Sequence, residues 1–370
     1  MSRIYLDHAG GTPILAEVVA ALGTLAFGNP SSAHREGRAA REALDQARDM
    51  TASTLGVNRS EIVFCASGTE AVNLALLGAG RKLPLWNRIV TWAAEHHCVI
   101  GAVRQLELEG HPISILPVDE LARARPAEIP GDTGMVSISL ANNENGTLQP
   151  VAEVVEQARR LGALIHIDAC QGPQWLDPDV TRADLASFSG HKIGAGCGGL
   201  LWAREDIRLL PLQFGGPQEW GRRAGWEDVR GAVAIATALN VIAARRGDES
   251  RRARDLASAL RESLSKLGAT PTGGPQSLPN YASAAFSQVR GEDLLLALDL
   301  EGVAASSGSA CASGSLDPSH VLLAMGLSLE QSLGSLRLTT GYRTTSEEVD
   351  AACAILDRVL RRLLAVQTRA

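Results

Sequence analysis

The chain has 370 residues, 45% of them hydrophobic and 21% charged, and its net charge is −6. This composition is typical of an ordinary soluble globular protein, and the length suits two domains. The negative balance of interspersed charges argues against direct nucleic-acid binding. The most apolar long run, residues 231–244, predicts a buried helix and is shorter than the roughly 20 residues of a membrane span. With no signal-peptide pattern at the N-terminus, we expect a cytoplasmic protein without membrane association.

Apolar strand-like runs alternate with helical patterns from about Arg41 to Arg208. Strands are expected at 61–65, 88–92, 134–140 and 163–168, and helices at 68–78, 97–109 and 150–161. This βαβ series predicts an α/β fold with a mostly parallel central sheet and helices on both faces.

A smaller C-terminal α/β domain is predicted to follow. A helical pattern (233–267) precedes a Pro/Gly cluster, and beyond it come a strand (282–289), a helix (292–300), a Ser/Gly-rich loop (306–315) and a final amphipathic helix from Ser346. We expect a large domain of residues 16–250, and a small domain of residues 251–370 joined by the N-terminal segment 1–15.

The chain contains only three lysines, beside 32 arginines. Lys192 follows a short strand, and Asp168 ends a strand-like run 24 residues upstream. Such a pair is what a pyridoxal phosphate enzyme needs, because an amine must form a Schiff base with the cofactor and a carboxylate must keep its pyridine nitrogen protonated. Lys82 and Lys266 lie in polar or Arg-rich stretches and are predicted at the surface, which leaves Lys192 as the candidate.

Polar residues at the ends of other strands are further candidates. The strand-to-helix turn 66–70 predicts an anion site in which Thr69 adds a hydroxyl, or an ordinary helix N-cap. Ser189 and His191 could reach the same anion from the lysine side. A histidine of the run 95–98 could stack on a flat ring, or lie at the edge of the core. The run 141–146 could face a ligand at the sheet edge, or be a simple Asn/Gly turn.

Six cysteines are scattered along the chain, with no pairs at metal-ligand spacing and no disulfide-like density. We therefore expect no metal site, and any thiol chemistry should involve a single cysteine. Cys311 is the candidate, because its small-residue loop should be exposed. Three other cysteines are predicted to be inert packing residues: Cys65, Cys170 and Cys353. The roles of Cys98 and Cys197 remain undecided. Arg337, within an apolar pattern, is either a buried ion-pair partner or a clamp for a substrate carboxylate.

Taken together, these residues resemble the cysteine desulfurases, pyridoxal phosphate enzymes of the class V aminotransferase family with fold type I. Blocks similar to those of the family follow one another nearly from end to end: Tyr5-Leu-Asp-His8, Phe27-Gly-Asn-Pro-Ser31, Ser67-Gly-Thr-Glu70, Glu95-His-His97, Ala141-Asn-Asn-Glu144, His166-Ile-Asp168, Ser187-Phe-Ser-Gly-His-Lys192, Ser306-Ser-Gly-Ser-Ala-Cys311 and Pro318-Ser-His-Val-Leu322. The stretch around Cys311 resembles the long-loop branch, which serves nitrogen fixation and iron–sulfur assembly.

The resemblance implies a role for each matching residue. Lys192 would hold the cofactor, Asp168 would pair with the pyridine nitrogen, Gln171 would bond the ring hydroxyl and His96 would stack on the ring. The remaining cofactor-binding residues would be Gly68, Thr69, Asn143, Ser189, Gly190 and His191.

By the same resemblance, the substrate is L-cysteine. Asn143 and Arg337 would take its carboxylate, with Asn29 assisting. The catalytic residues would be Lys192, His96 and Cys311; the Cys311 thiolate would attack the substrate sulfur, keep it as a persulfide and release alanine. A homodimer and a sulfur-acceptor protein (an iron–sulfur scaffold or a thiolation enzyme) are the implied partners.

Two alternatives stay open on the sequence alone. One is different chemistry by a class V pyridoxal phosphate enzyme, such as selenocysteine lysis, transamination or racemisation. The other is a scaffold without catalysis. Two positions depart from the family pattern: Trp226 stands where a threonine usually reaches the phosphate of the other subunit, and Asn145 stands where an apolar residue is usual, which predicts a minor repacking.

Overall fold

A computed structural model describes residues 3–308 and 317–367, so the predicted nucleophile Cys311 lies outside the described residues. The strands are β1 (Ile4–Tyr5), β2 (Ile62–Cys65), β3 (Arg88–Trp92), β4 (Ile113–Leu116), β5 (Thr133–Ser139), β6 (Leu164–Asp168), β7 (Leu185–Ser189), β8 (Gly199–Ala203), β9 (Thr270–Pro271), β10 (Tyr281–Ala285), β11 (Val303–Ala304) and β12 (Ser335–Thr339). The helices are α1 (Ala16–Gly23), α2 (Arg35–Leu55), α3 (Gly68–Gly80), α4 (His97–Leu108), α5 (Val151–Arg160), α6 (Val229–Lys266), α7 (Gly291–Leu300), α8 (His320–Ala324), α9 (Leu329–Leu333) and α10 (Ser346–Gln367).

A seven-stranded sheet with the order β2-β8-β7-β6-β5-β3-β4 forms the centre of the fold. The five neighbouring strands β7, β6, β5, β3 and β4 are all parallel to one another. Strand β8 runs antiparallel to both of its neighbours, β2 and β7. Every residue of β5, β7 and β8 is buried, because helices cover both faces and leave no polar side to the strands. The predicted α/β fold with a mostly parallel sheet is therefore confirmed.

Alternate residues of each strand face two different hydrophobic clusters. Ile62 and Phe64 of β2 join a cluster that includes residues of α2, α5 and α6, whereas Val63 and Cys65 join a cluster with α3 and α4. This alternation follows from the two-residue period of a strand, and it places one layer of helices on each side of the sheet.

A second core lies around the antiparallel sheet β12-β10-β9, with β1 and β11 paired beside it. It includes Ile4 and Leu6 of the N-terminal segment together with residues of α6, α7 and α10. The predicted domain boundary at residue 250 falls inside α6, whose early residues pack into the first core and whose later residues pack into the second. The division into two domains stays a prediction.

Local sequence explains where α6 begins and where β10 ends. The predicted helix 233–267 starts earlier, at Val229, because the Asp228 side chain accepts a hydrogen bond from Gly231 N (3.0 Å) and caps it. The predicted strand 282–289 is shorter, since after Ala285 the chain turns toward α7.

Among the described residues, no helix combines the length and apolar character needed to cross a bilayer.

Candidate active site

A cavity of about 230 Å³ lies at the edge of the central sheet where its parallel strands end. Since the carboxyl ends of neighbouring parallel strands meet at one edge, residues far apart in sequence are brought together there. The predicted site residues that line it are Gly68, Thr69, His96, Asn143, Asp168, Gln171, Ser189, His191 and Lys192.

The side chains of Lys192 and Asp168 come from adjacent parallel strands. Asp168 is the last residue of β6, is only 5% exposed, and accepts hydrogen bonds from Cys170 N (3.0 Å) and Ser187 Oγ (3.4 Å). Lys192 follows β7, and its Nζ donates to the carbonyls of Ala9 and Gly10. The N-terminal segment therefore orients the amine at the cavity wall.

One part of the cavity wall carries groups that can bind an anion. The start of α3, which follows β2, directs backbone N–H groups and the positive end of its dipole toward the cavity. A Cβ at Gly68 would lie 2.7 Å from Ser189 Cβ and 2.9 Å from Cys170 Sγ, so only glycine permits this close approach of helix and strand. Ser189 Oγ and His191 Nδ1, which also line the cavity, are 2.8 Å apart. Gly68, Thr69, Ser189 and His191 thus line the same cavity.

His96 is the N-cap residue of α4, just beyond the end of β3. Its Nδ1 accepts a hydrogen bond from Cys98 N (3.1 Å), so a neutral ring carries its proton on Nε2. Burial lowers the pKa of His96, and the nearby Lys192 charge acts in the same direction, while Asp168 opposes them. The ring is therefore a neutral, flat surface on the cavity wall at pH 7.

Asn143 and Arg337 are joined directly. Arg337, on β12, is 2% exposed; it donates from Nη1 to the Asn143 carbonyl (2.8 Å) and from Nη2 to Asp7 Oδ1 (2.9 Å). Its Nε is buried without a hydrogen-bond partner among the described residues. The buried ion pair anticipated for Arg337 is present, and a role of this side chain in binding a substrate carboxylate stays a prediction.

Among the described residues, three that were predicted for the site do not line the cavity: Arg337, Asn29 and Gly190. The Asn29 side chain accepts a hydrogen bond from Ser31 N (2.9 Å) and so closes the turn before α2. Gly190 is needed for packing, because a Cβ there would overlap the Cys197 carbonyl, and its N–H donates to Gly198 O (2.9 Å). The Gly190 N–H is therefore already used within the fold, and contact of Gly190 with a cofactor stays a prediction.

Comparisons with known proteins decide the family. The class-V aminotransferase family matches residues 4–352. The cysteine desulfurase IscS of Dictyoglomus turgidum is 37% identical over 98% of this chain and 95% of its own. A solved NifS-like protein superimposes with a TM-score of 0.90 at 30% identity, covering 98% of this chain and 100% of that one. Another solved structure, SspA in complex with cysteine, gives 0.80 at 29% identity and covers 91% and 98%.

The chain belongs to the cysteine desulfurases of the class-V aminotransferase family. The resemblance drawn from the sequence blocks is thereby confirmed.

Both departures from the cysteine desulfurase pattern have a structural setting. Trp226 is 55% exposed, and its carbonyl accepts a hydrogen bond from Arg223, which also pairs with Glu70 at the start of α3 (3.0 Å). Asn145 is buried, and its side-chain amide donates hydrogen bonds to the carbonyls of Leu121 (3.2 Å) and Thr272 (3.0 Å). The predicted change was a minor repacking, and these two hydrogen bonds go beyond it. Asn145 thus links the cavity-lining turn to the second core.

Sequence reasoning missed several residues around the cavity of this desulfurase. Cys170, predicted as packing, and the undecided Cys98 both line it, together with Ser139 at the end of β5. Burial raises the pKa of both thiols, so they are protonated at pH 7. Ser139 at a strand end and Cys170 just after one carried an available signal, whereas Cys98 lies in the first turn of α4, where only the structure shows that it faces the cavity.

Proposed function

We propose that the protein is a pyridoxal phosphate-dependent cysteine desulfurase that converts L-cysteine to L-alanine and retains the sulfur as a persulfide on Cys311. The observation that carries the proposal is that Lys192 and Asp168 line one cavity together with the donor groups at the start of α3. An amine, a buried carboxylate and an anion site together match the aldehyde, ring nitrogen and phosphate of one cofactor.

The chemistry of the residues present fits that cofactor. Gly68 allows the start of α3 to pack directly against Ser189, so that donors of the helix and of the strand end reach the same part of the cavity. Thr69, Ser189 and His191 would hold the phosphate, Asp168 the ring nitrogen and Gln171 the ring hydroxyl. The bound cofactor supplies an electron sink for the Cα of an amino acid.

The residues of the chain supply binding and proton transfer. Lys192 would anchor the cofactor and, once released by the incoming substrate, would move the Cα proton; the carbonyls of Ala9 and Gly10 are the partners that orient its amine. His96, neutral because burial lowers its pKa, would lie flat against the cofactor ring and add no charge there.

Substrate recognition and sulfur transfer would involve a second group of residues. Arg337 and Asn143 would bind the substrate carboxylate, supported by the orphaned Nε of Arg337. The Cys311 thiolate would then attack the substrate sulfur, so that an S–S bond forms as the C–S bond breaks and its electron pair stays with Cβ. Alanine would leave after Cβ is protonated and Lys192 returns a proton to Cα.

We further propose a cytoplasmic homodimer that passes the persulfide to an acceptor protein of iron–sulfur assembly or thiolation. The exposed Trp226, linked through Arg223 to Glu70, would then lie at the dimer seam near the phosphate cradle. Residues 16–250 would form the large domain and the remainder the small one, in line with the two cores of the fold.

The experiment compares the purified wild type with Lys192→Ala and Cys311→Ser. The wild type should release alanine from L-cysteine, and borohydride reduction followed by peptide mapping should place the pyridoxyl label on Lys192. Lys192→Ala should lose the label and the activity, whereas Cys311→Ser should keep the label and lose persulfide formation. A label on another residue, or full sulfur release by Cys311→Ser, would refute the proposal.

A further inference from the structure

Glu144 is a buried carboxylate that the proposed mechanism does not use. It directly follows Asn143 in the turn after β5 and is 5% exposed. Its carboxylate Oε2 accepts a hydrogen bond from Ser319 Oγ, and its backbone carbonyl accepts one from Ser283 Oγ of β10 (3.0 Å). A buried carboxylate is costly unless it is bonded, so its position calls for an explanation.

The partners of the carboxylate lie on both sides of segment 309–316, which contains Cys311. Gly308 packs so closely on Glu144 that a Cβ there would overlap the carboxylate Oε2. Ser319 lies on the other side, where its Oγ also accepts a hydrogen bond from Leu322 N (3.1 Å) and caps α8. One side chain therefore contacts the residues before and after the segment.

Both flanks have further attachments to the site. Before the segment, Ser306 exchanges backbone hydrogen bonds with Arg337 (2.6 and 3.2 Å), and Gly308 N donates to Ser335 Oγ (3.4 Å). After it, His320 Nε2 donates to the carbonyl of Glu95, the residue that precedes His96 (2.9 Å). The flanks are thus bonded to the elements that present Arg337, Asn143 and His96.

We propose that Glu144 is a positioning residue that fixes both flanks of segment 309–316 against the substrate-binding turn, and so sets where the Cys311 thiol meets the substrate. The inference rests on the proposed function and adds a residue that touches neither substrate nor cofactor. Its physical basis is covalent: three peptide links separate Gly308 from Cys311, which limits their Cα separation to about 11 Å. A shift of the flank therefore changes the region that the thiol can reach.

Four variants distinguish the contribution of the Glu144 carboxylate from that of its neighbours. Glu144→Ala removes the contact with both flanks, whereas Glu144→Gln keeps an oxygen that can accept the hydrogen bond from Ser319. Ser319→Ala removes the partner on one flank. Ser283→Ala is the matched control, because it deletes a hydrogen bond to the same residue's backbone and leaves the carboxylate with its partners.

Gly308→Ala tests the other flank without touching Glu144 itself. In the wild-type background, the added methyl group must displace the carboxylate. In Glu144→Ala, the two Cβ atoms would be 3.7 Å apart, which is ordinary van der Waals contact. Gly308→Ala should therefore lower turnover in the wild type and have little further effect in Glu144→Ala.

Turnover of the holoenzyme and the reactivity of Cys311 are the two measurements. We expect Glu144→Ala to lower kcat for alanine formation by roughly tenfold or more, since small displacements of a reacting group are costly. KM for L-cysteine should change by less than about threefold, because the carboxylate site is retained. The kcat values of Glu144→Gln and Ser283→Ala should remain near that of the wild type. The kcat of Ser319→Ala should lie between those of the wild type and Glu144→Ala.

Alkylation of Cys311 by iodoacetamide, followed by mass spectrometry, reports on the thiol independently of turnover, with the exposed Cys197 as internal reference. We expect the Cys311 rate relative to Cys197 to change in Glu144→Ala and to return toward wild type in Glu144→Gln. Unchanged kcat and alkylation in Glu144→Ala, or an equal loss in Glu144→Gln, would overturn the inference.

If Glu144→Ala does not fold, Ser319→Ala and Gly308→Ala carry the same test. A wild type that forms no alanine would instead refute the proposed function, and the alkylation rates would still test Glu144.

Discussion

Glu95 is a buried acid that directly precedes His96, a residue of the cavity wall. Its Oε1 accepts hydrogen bonds from Ser139 N (2.9 Å) and Oγ (3.2 Å), while its Oε2 has no partner among the described residues. Burial raises the pKa of Glu95 to about 8, with the nearby Asp168 charge adding to the effect and the Ser139 bonds opposing it. Glu95 is therefore largely protonated at neutral pH.

This shift predicts a pH dependence of stability. The folded protein binds more protons than the unfolded chain between the ordinary pKa of 4.5 and the folded value of about 8, so Glu95 makes stability fall as pH rises through that interval. Glu95→Gln should remove this loss, which amounts to several kcal/mol at about 1.4 kcal/mol per pKa unit. Urea unfolding of the apo-protein at pH 5 and pH 8 checks it. The exposed Glu120→Gln serves as control, and equal pH slopes in wild type and Glu95→Gln would contradict the assignment.

Gly68 makes a second residue-level prediction. Because a Cβ there would meet Ser189 Cβ at 2.7 Å and Cys170 Sγ at 2.9 Å, Gly68→Ala should push the start of α3 away from Ser189 and so displace the donors of the anion site. Overpacking of this kind typically costs 1–3 kcal/mol, so affinity for pyridoxal phosphate should fall roughly tenfold or more. Titration of the apo-protein with the cofactor measures this. Gly101→Ala on α4, where a Cβ meets nothing within 4 Å, should leave the affinity unchanged.

Elements with an uninterrupted apolar pattern could be predicted from the sequence. The predicted strands 88–92 and 163–168 match β3 and β6 closely, because strands buried on both faces appear as apolar runs. The antiparallel insertion of β8 between β2 and β7 could not be predicted, since sheet order depends on contacts between distant residues. Glu95 and Glu144 were missed for the same reason: nothing in the local pattern distinguishes them from surface acids, and only tertiary packing buries them.

The ion pair of Arg48 and Glu219 connects α2 to the segment that follows β8. Both side chains are at most 3% exposed, with Arg48 Nη2 2.7 Å from Glu219 Oε1. Glu219 also accepts a hydrogen bond from Phe64 N of β2 (2.9 Å). Its backbone has a positive φ of 47°, a conformation that a non-glycine residue keeps only when its surroundings hold it there.

Removing one partner of this pair should be more harmful than removing both. Glu219→Ala leaves the Arg48 charge buried and uncompensated, which should lower the free energy of unfolding by about 3–5 kcal/mol. The double variant Arg48→Met/Glu219→Ala should recover part of that loss. Denaturant unfolding of the apo-protein measures both. The exposed pair Arg160–Glu156 gives the comparison: Glu156→Ala should cost less than about 1 kcal/mol. A double variant less stable than Glu219→Ala would show that packing, not charge, dominates there.

The whole molecule assembles its site from two cores that the N-terminal segment and α6 connect. Lys192 and Asp168 belong to the central sheet, whereas Arg337 belongs to the sheet of the second core. Residues 7–10 reach both, because Asp7 pairs with Arg337 while the carbonyls of Ala9 and Gly10 accept hydrogen bonds from Lys192. The geometry between the cofactor-binding and substrate-binding residues therefore depends on how rigidly the two cores are joined.

Helix α6 supplies that rigidity, since its 38 residues run without a break from one core to the other. Arg251 lies on its exposed side between the two buried stretches, which makes Arg251→Pro a test of the connection. Proline removes a helix hydrogen bond and costs roughly 3 kcal/mol or more. We expect Arg251→Pro to lower turnover and to separate thermal unfolding into two calorimetric transitions, as weakly coupled domains show. Arg251→Ala, which removes the same side chain and keeps the helix, should unfold as the wild type does. A single transition with normal turnover in Arg251→Pro would mean that other contacts hold the cores together.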